Sequence, residues 1–319
     1  MSAISPMCSN KPKTSPFGSQ GDDRPMRLEG RIYRPPSEAR SLLIQLTVGC
    51  SHNRCSFCAM YRDKQYRIRP LADVCADVDW AARAMPNVRR VFICDGDALS
   101  AGFETFAALC RHIGIRFPKL ERISSYVNAR DILRLSEEEL RALRRLGFSL
   151  GYVGLESGSF DVLRSIHKGA TPADMIKMAA KARDAGIALS VIVLLGAGGR
   201  ALSGDHVRDT IEVVNTMQPA YLSFLTAMIV PATPLMDDTQ QGRFQPLTDR
   251  AILREARDML AGLTLTDTLF RMNHVSNLIA LGGRLPADQA ALLQQLDALL
   301  PMAQETVSCV CTGAEALML

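Results

Sequence analysis

From Ser41 onward the chain alternates short apolar, β-branched runs with longer stretches in which apolar side chains recur every three or four residues. The first pattern is that of a buried strand and the second that of a helix with one apolar face. Strands are predicted at Ser41–Val48, Arg90–Cys94, Arg122–Val127, Ser149–Leu155, Ala188–Leu195 and Tyr221–Thr226. Helices are predicted between them at Leu71–Met85, Phe103–Ile115, Ser136–Leu146, Pro172–Ala185 and Asp205–Met217. Local chemistry marks some of the ends: Ser136 followed by Glu139 forms a capping box, and Gly147 and Gly186 stand where helix C-caps are expected. Regular alternation of strand and helix predicts an α/β fold of βα units around a parallel sheet.

The two ends of the chain read differently. Residues 1–30 are rich in Ser, Pro, Lys and Gly without a hydrophobic period, and read as a disordered leader. After Pro231 the alternation gives way to Pro, Thr, Gln and Asp, followed by helix-like segments at Asp249–Leu263 and Pro286–Leu300. The expected organisation is a leader over 1–30, a core over 31–230 and a C-terminal helical extension over 231–319. A chain of 319 residues, 47% of them hydrophobic, can bury the core of one large α/β barrel domain with short additions.

Charge adds little: 37 basic and 33 acidic residues are interleaved, the net charge is +4, and nucleic acid is not indicated as a partner. No stretch reaches the roughly 18 apolar residues of a membrane span, and the N-terminus lacks a signal-peptide core. No membrane partner is expected, and the chain reads as cytoplasmic. Cysteine usage is more telling. Nine is an odd number, and three of the nine fall between positions 50 and 58. That density in so long a chain points to reduced thiols and a metal site rather than a disulfide framework.

The three are Cys50, Cys55 and Cys58, in a loop directly after the first predicted strand. In parallel barrels the C-terminal ends of strands are where chemistry collects. Three thiolates can bind three irons of a four-iron cluster and leave the fourth iron open to a ligand. A structural zinc would want four closed ligands, usually as two separated pairs, and His52, lying between two of the cysteines, would complete such a set only under strain. A cluster ranks ahead of zinc, and zinc ahead of three unrelated thiols.

A cysteine triplet in the loop after the first strand of a six-strand βα array resembles the radical S-adenosylmethionine (SAM) superfamily. The spacing here is C-x4-C-x2-C, where C-x3-C-x2-C is commoner. The resemblance runs from about Ser41 to Thr226. Together with Tyr33–Glu38 and Phe270–His274 it extends to a stand-alone bacterial branch without an assigned reaction. It implies a partial (β/α)6 TIM-type barrel in which Cys50, Cys55 and Cys58 hold a [4Fe–4S] cluster that cleaves SAM reductively to a 5′-deoxyadenosyl radical. An electron donor such as flavodoxin or ferredoxin is then a partner, and a small-molecule or cofactor-biosynthesis substrate is favoured. Phe57, before the last cysteine, matches an aromatic that shields the cluster and contacts adenine. Asp95-Gly96-Asp97 resembles the turn that holds the amino group of SAM. Glu156, at the end of the fourth predicted strand, matches a ribose ligand, and Lys168 the partner of the SAM carboxylate. The strand ending at Leu195 and the glycines after it resemble the segment packed on adenine. A dinucleotide fingerprint is excluded there by spacing and by the residues expected between Gly199 and a helix starting at Asp205.

Phe270–Asn277 concentrates polar groups between the helices of the extension. Arg271 is expected to bind an anionic substrate group and His274 to orient the substrate or exchange a proton with it. Cys309 and Cys311 read as free thiols in a mobile tail. Cys8, Cys75 and Cys110 read as structural or incidental, and His112 and His206 as surface or packing residues. Two rivals stand beside the radical enzyme acting on a small molecule. One is an RNA-modifying radical SAM enzyme, which would normally add a basic or β-barrel domain. The other is a non-catalytic iron–sulfur sensor or electron carrier, which would not need the ordered SAM motifs.

Overall fold

The computed structural model describes residues 26–311. The leader expected over 1–30 lies outside this range as far as residue 25, as does Cys8. Among the described residues ten strands and ten α-helices follow one another. The strands are β1 (Leu42–Gln45), β2 (Thr47–Val48), β3 (Arg67–Ile68), β4 (Arg90–Cys94), β5 (Arg122–Tyr126), β6 (Phe148–Glu156), β7 (Ala188–Leu195), β8 (Tyr221–Thr226), β9 (Thr268–Met272) and β10 (Leu281–Leu285). The helices are α1 (Leu71–Ala84), α2 (Phe103–Arg116), α3 (Ala129–Arg134), α4 (Glu137–Arg145), α5 (Phe160–Ser165), α6 (Pro172–Asp184), α7 (Gly199–Met217), α8 (Pro234–Gln240), α9 (Asp249–Gly262) and α10 (Gln289–Leu299).

Eight strands form one sheet in the order β1-β4-β5-β6-β7-β8-β9-β10, parallel except for β10, which runs antiparallel to β9. The sheet does not close, and β1 and β10 are its edges. The predicted α/β class therefore stands, with eight strands where six were expected. The two additional strands come from the extension, which is not purely helical. Phe270–Met272 do not lie between helices but in β9, paired with β8. Phe270 crosses edge-on to Phe224 at 5.0 Å between ring centroids, a contact worth about 0.5–1.5 kcal/mol beyond burial.

Alternation along each strand sorts its side chains into two faces. Val91 and Ile93, Val191 and Val193, Leu222 and Phe224, and Phe270 and Met272 join the helices in the main core. Phe92 and Cys94, with Leu150 and Tyr152, point the other way into an inner cluster that also takes Leu28, Ile32, Tyr126 and Tyr221. The inner face is plugged by Glu38, which accepts hydrogen bonds from the Tyr152 hydroxyl at 2.6 Å and Arg122 at 2.7 Å, and by Ser37, 2.8 Å from the same hydroxyl.

Local expectations met varied outcomes. The Ser136–Glu139 capping box is present, and Gly147 and Gly186 take the left-handed conformation at φ 97° and 74°. The predicted strand Ser41–Val48 breaks at Leu46, and its second half pairs instead with β3. Helix α7 starts at Gly199, not Asp205, so the exclusion of a dinucleotide fingerprint rests on glycine spacing alone. The tail is not mobile at the cysteines. Cys309 and Cys311 are buried, with Ile229 N–H donating to the Cys309 carbonyl at 2.8 Å and Cys311 N–H to the Ile229 carbonyl at 2.9 Å. No helix among the described residues is long and apolar enough to cross a membrane.

Candidate functional site

The three cysteines lie between β2 and β3, so the antiparallel pairing Thr47↔Ile68 and Val48↔Arg67 pins the two ends of their loop together. The loop is then tied down from outside. Ser56 N–H donates to the Ile166 carbonyl after α5 at 2.9 Å, and Leu235 N–H at the start of α8 donates to the Ser56 carbonyl at 3.0 Å. Arg62 donates to the carbonyls of Cys55 and Cys58, each at 2.8 Å. All three thiols are half-buried. Burial pushes the Cys55 thiol up to about 12 and raises that of Cys58, while the Lys168 ammonium nearby acts in the opposite direction on both. Cluster binding would have to displace these protons, as metal binding to thiols generally does. The thiols are not gathered as ligands of one ion would be. Among the described residues, no group of three or more His, Cys, Asp or Glu side chains could hold a single metal ion. Three thiols in one loop with the Lys168 ammonium beside two of them suit the anionic ligands of an iron–sulfur cluster.

The turn after β4 comes against the loop from the side. Gly96 is needed there because a Cβ would lie 2.8 Å from both Cys50 Cβ and the Tyr61 ring. The two carboxylates flanking it do different things. Asp95, in the left-handed conformation at φ 63°, is fully buried and spoken for. It accepts from Lys64 at 3.0 Å, from Gly49 N–H at 2.7 Å and from Gln45 at 2.9 Å. Its role is to hold the entry to the cysteine loop, and it presents no free oxygen to a ligand. Asp97 accepts from Ser51 and, at 2.9 Å, from Arg130. Its other oxygen and both Asp131 oxygens have no donor among the described residues. Burial and the adjacent Asp97 carboxylate raise the Asp131 pKa.

Across the sheet, Glu156 ends β6 in the left-handed conformation at φ 62° and receives Lys168 at 2.8 Å. Gly154 makes the pair possible, since a Cβ at that position would overlap the Glu156 carboxylate and lie 2.9 Å from Lys168 Nζ. Burial alone would depress the Lys168 pKa, but the carboxylate beside it and the neighbouring thiols hold it above the ordinary value. Phe57 packs with Leu194, Ala197, Val162 and Ala227, and also with Ile229 and Cys309. Leu195 instead faces the helices, so the inward side chain at the end of β7 is Leu194, which sequence reading passed over. Thus Cys50, Cys55, Cys58, Phe57, Gly96, Asp97, Glu156 and Lys168 meet at one end of the sheet. Asp95 and Leu195 sit behind them.

Residues 44–214 match the family described as the Radical SAM superfamily. The chain belongs to the radical SAM superfamily. Solved structures agree in fold at low identity. The cobalamin-dependent SAM radical enzyme OxsB, solved with aqua-cobalamin and SAM, is 15% identical with a TM-score of 0.55 over 69% of this chain and 41% of its own. The radical SAM methyltransferase TsrM from Kitasatospora setae, solved with cobalamin and a [4Fe–4S] cluster, is 20% identical with a TM-score of 0.52 over 63% and 39%. Methylornithine synthase PylB is 14% identical with a TM-score of 0.50 over 70% and 63%. The chain thus spans less than two thirds of each of these relatives. No curated protein matches it.

One buried polar pair of this chain escaped sequence reading. His206 is fully buried on α7, its Nδ1 2.8 Å from the Ser157 hydroxyl and its Nε2 3.9 Å from Glu255. Glu255 accepts from Gly196 N–H at 2.7 Å and from Ser203 at 2.6 Å. The pair therefore joins the turn after β6 to the turn after β7, the two that flank the end of the sheet. The signal was available: His206, Thr210, Val213, Val214 and Met217 form the buried stripe of α7. His112, by contrast, is partly exposed and bound to Asp79 at 2.6 Å.

Burial pushes His206 down to about 4 and Glu255 up to about 7, from ordinary values of 6.5 and 4.5, so both are neutral near pH 6. Linkage gives them opposite signs. The Glu255 contribution to stability is fully present below pH 4.5 and is lost as pH rises toward 7; that of His206 is lost as pH falls from 6.5 toward 4. The stability of the apoprotein relative to Glu255→Gln should therefore fall as pH rises through this window, and relative to His206→Gln it should rise. Urea titrations at a series of pH values read both slopes, and slopes of the same sign would contradict a neutral pair.

Proposed function

We propose that the protein is a radical SAM enzyme acting on a small molecule, with Cys50, Cys55 and Cys58 as the ligands of a [4Fe–4S] cluster. The observation that carries this reading is the convergence of three half-buried thiols with the buried Glu156–Lys168 pair and the Gly96–Asp97 turn at one end of the sheet. When bound, the cluster would supply the electron that cleaves SAM into methionine and a 5′-deoxyadenosyl radical. The chain's own residues bind and orient. Asp97, held by Ser51 and Arg130, offers a carboxylate to the SAM amino group. Lys168 offers its ammonium to the SAM carboxylate, and Glu156 its oxygens to the ribose diol. Phe57 and Leu194 supply apolar surface and exclude water.

Supply of the electron fits the outer side of the same loop. A surface cleft of about 520 Å³ there is lined by His52, Arg54, Phe160, Arg164 and His167 among others. Arg54 and the exposed Phe160 on this rim, beside Arg164 paired with Asp161 and the lining Asp174, offer a mixed polar and aromatic surface to a protein donor such as flavodoxin or ferredoxin. The small-molecule reading is favoured over an RNA-modifying one because the described part of the extension completes the sheet instead of building a separate nucleic-acid-binding barrel.

Changing the SAM ligands without touching iron tests the assignment. Asp97→Asn, Glu156→Gln and Lys168→Met each remove one charge-assisted contact worth about 1.5–3 kcal/mol, which is roughly a ten- to hundredfold loss of SAM affinity. Equilibrium binding of SAM to reconstituted protein, beside iron analysis, is the measurement. Unchanged SAM affinity with normal iron in all three variants would remove these residues from the site.

A further inference from the structure

The inner face carries a cation, Arg271, that the proposed chemistry leaves unused. Strand register aligns Gly154 with Ile192, Ile192 with Ser223, Ser223 with Arg271 and Arg271 with Gly282. These five residues form a single row across the inner face, because their neighbours Val191, Val193, Leu222, Phe224, Phe270 and Met272 all point to the helices. At the Gly154 end stands the Glu156–Lys168 pair. At the other end stands Arg271, about 14 Å away across three strand spacings of roughly 4.8 Å. The floor between has only Ile192 and Ser223, both partly exposed. Gly282, opposite Arg271, adds no side chain on the far side.

Arg271 is held but not satisfied. Its guanidinium lies 5.9 Å from the centroid of the Tyr221 ring, which fixes the direction of the side chain. Among the described residues no carboxylate pairs with it and no hydrogen bond reaches it. A half-buried guanidinium steered by an aromatic ring and left without an anion is a group waiting for one, since its planar fork matches a carboxylate or a phosphate through two parallel hydrogen bonds. The loop after β9 lies further along, at the C-terminal end of β8. His274 Nδ1 accepts from Ser276 N–H at 3.2 Å and sits 2.9 Å from its hydroxyl, and that hydroxyl in turn accepts Thr226 N–H from the end of β8. With Nδ1 an acceptor, the neutral ring carries its proton on Nε2.

We propose that Arg271 is the anion-binding residue of the substrate site, and that the substrate is a small molecule whose carboxylate or phosphate group pairs with it while the rest lies over Ser223 and Ile192 toward Glu156 and Lys168. His274 is a hydrogen-bond donor further along, at the C-terminal end of β8. The assignment of this anion as substrate rests on the radical SAM reading; the anion site itself does not.

The test uses anaerobically reconstituted full-length protein with SAM present, titrated calorimetrically with succinate and, separately, with inorganic phosphate. At least one should bind the wild type, at least tenfold more weakly to Arg271→Gln, with an intermediate loss in Arg271→Lys, which keeps the charge but not the fork. Which probe binds distinguishes a carboxylate from a phosphate substrate. Circular dichroism confirms that both variants are folded, and the conservative lysine variant keeps the test decisive if the glutamine variant is not. Binding of neither probe to the wild type, or equal binding by wild type and variants, overturns the proposal. Iron content and SAM binding are measured on the same samples. An Arg271-dependent anion site in protein that takes up neither iron nor SAM would sink the radical SAM reading and leave the anion site standing.

Discussion

Replacing Cys50, Cys55 and Cys58 together by alanine is expected to take the reconstituted protein from roughly four irons per chain, the content of one cubane cluster, to none. Broad visible absorption should vanish and SAM cleavage to 5′-deoxyadenosine should fall to background. The fold should survive, because the loop is held by backbone contacts, Ser56 to Ile166 and Leu235 to Ser56, and by Arg62 on two carbonyls, none of which uses a thiol. The triple variant should therefore melt close to the wild-type apoprotein. Full iron in the triple variant would refute the ligand set, and stoichiometric zinc in place of iron in the wild type would favour a structural metal. An iron–sulfur sensor or carrier would keep its iron and bind no SAM.

The cysteine triplet was legible from sequence because its spacing survives any error in register. So were β4, β7 and β8, each of which begins and ends where its apolar run predicted. What was missed follows a physical pattern. Helices α5 and α8, of six and seven residues, are too short to be stable alone and exist through the loop they brace. Strands β9 and β10 carry polar and glycine residues on the inner face, so Thr-Leu-Phe-Arg-Met and Leu-Gly-Gly-Arg-Leu lack the continuous apolar signal of the other strands. That gap hid the place of Arg271 in β9. Leu195 was chosen over Leu194 because strand parity cannot be assigned without a partner, and a one-residue slip exchanges the two faces.

The same limit explains Asp95 and Asp97, two carboxylates around one glycine that sequence cannot tell apart. Their surroundings predict unequal responses. Asp95 is fully buried against Lys64, whose side chain is 4% exposed, and also satisfies the Gly49 N–H and Gln45. Asp95→Ala leaves the Gly49 N–H without its acceptor, the Lys64 ammonium without its counter-charge and with only the Arg31 carbonyl, and the Gln45 carboxamide with only the Glu29 carbonyl. Removing one member of a buried pair costs about 3–5 kcal/mol, enough to take much of the stability of an ordinary domain. Asp97 pairs with Arg130, whose side chain is 42% exposed and can turn to water, so Asp97→Asn should cost far less stability and act chiefly on SAM binding. Urea unfolding of the two variants measures the contrast. The double variant Asp95→Ala/Lys64→Met identifies its cause: once the stranded ammonium is removed, part of the lost stability should return, even though one more native group is missing. A double variant less stable than Asp95→Ala alone would mean that Lys64 holds the cysteine loop through its bond to the Arg31 carbonyl rather than through the ion pair.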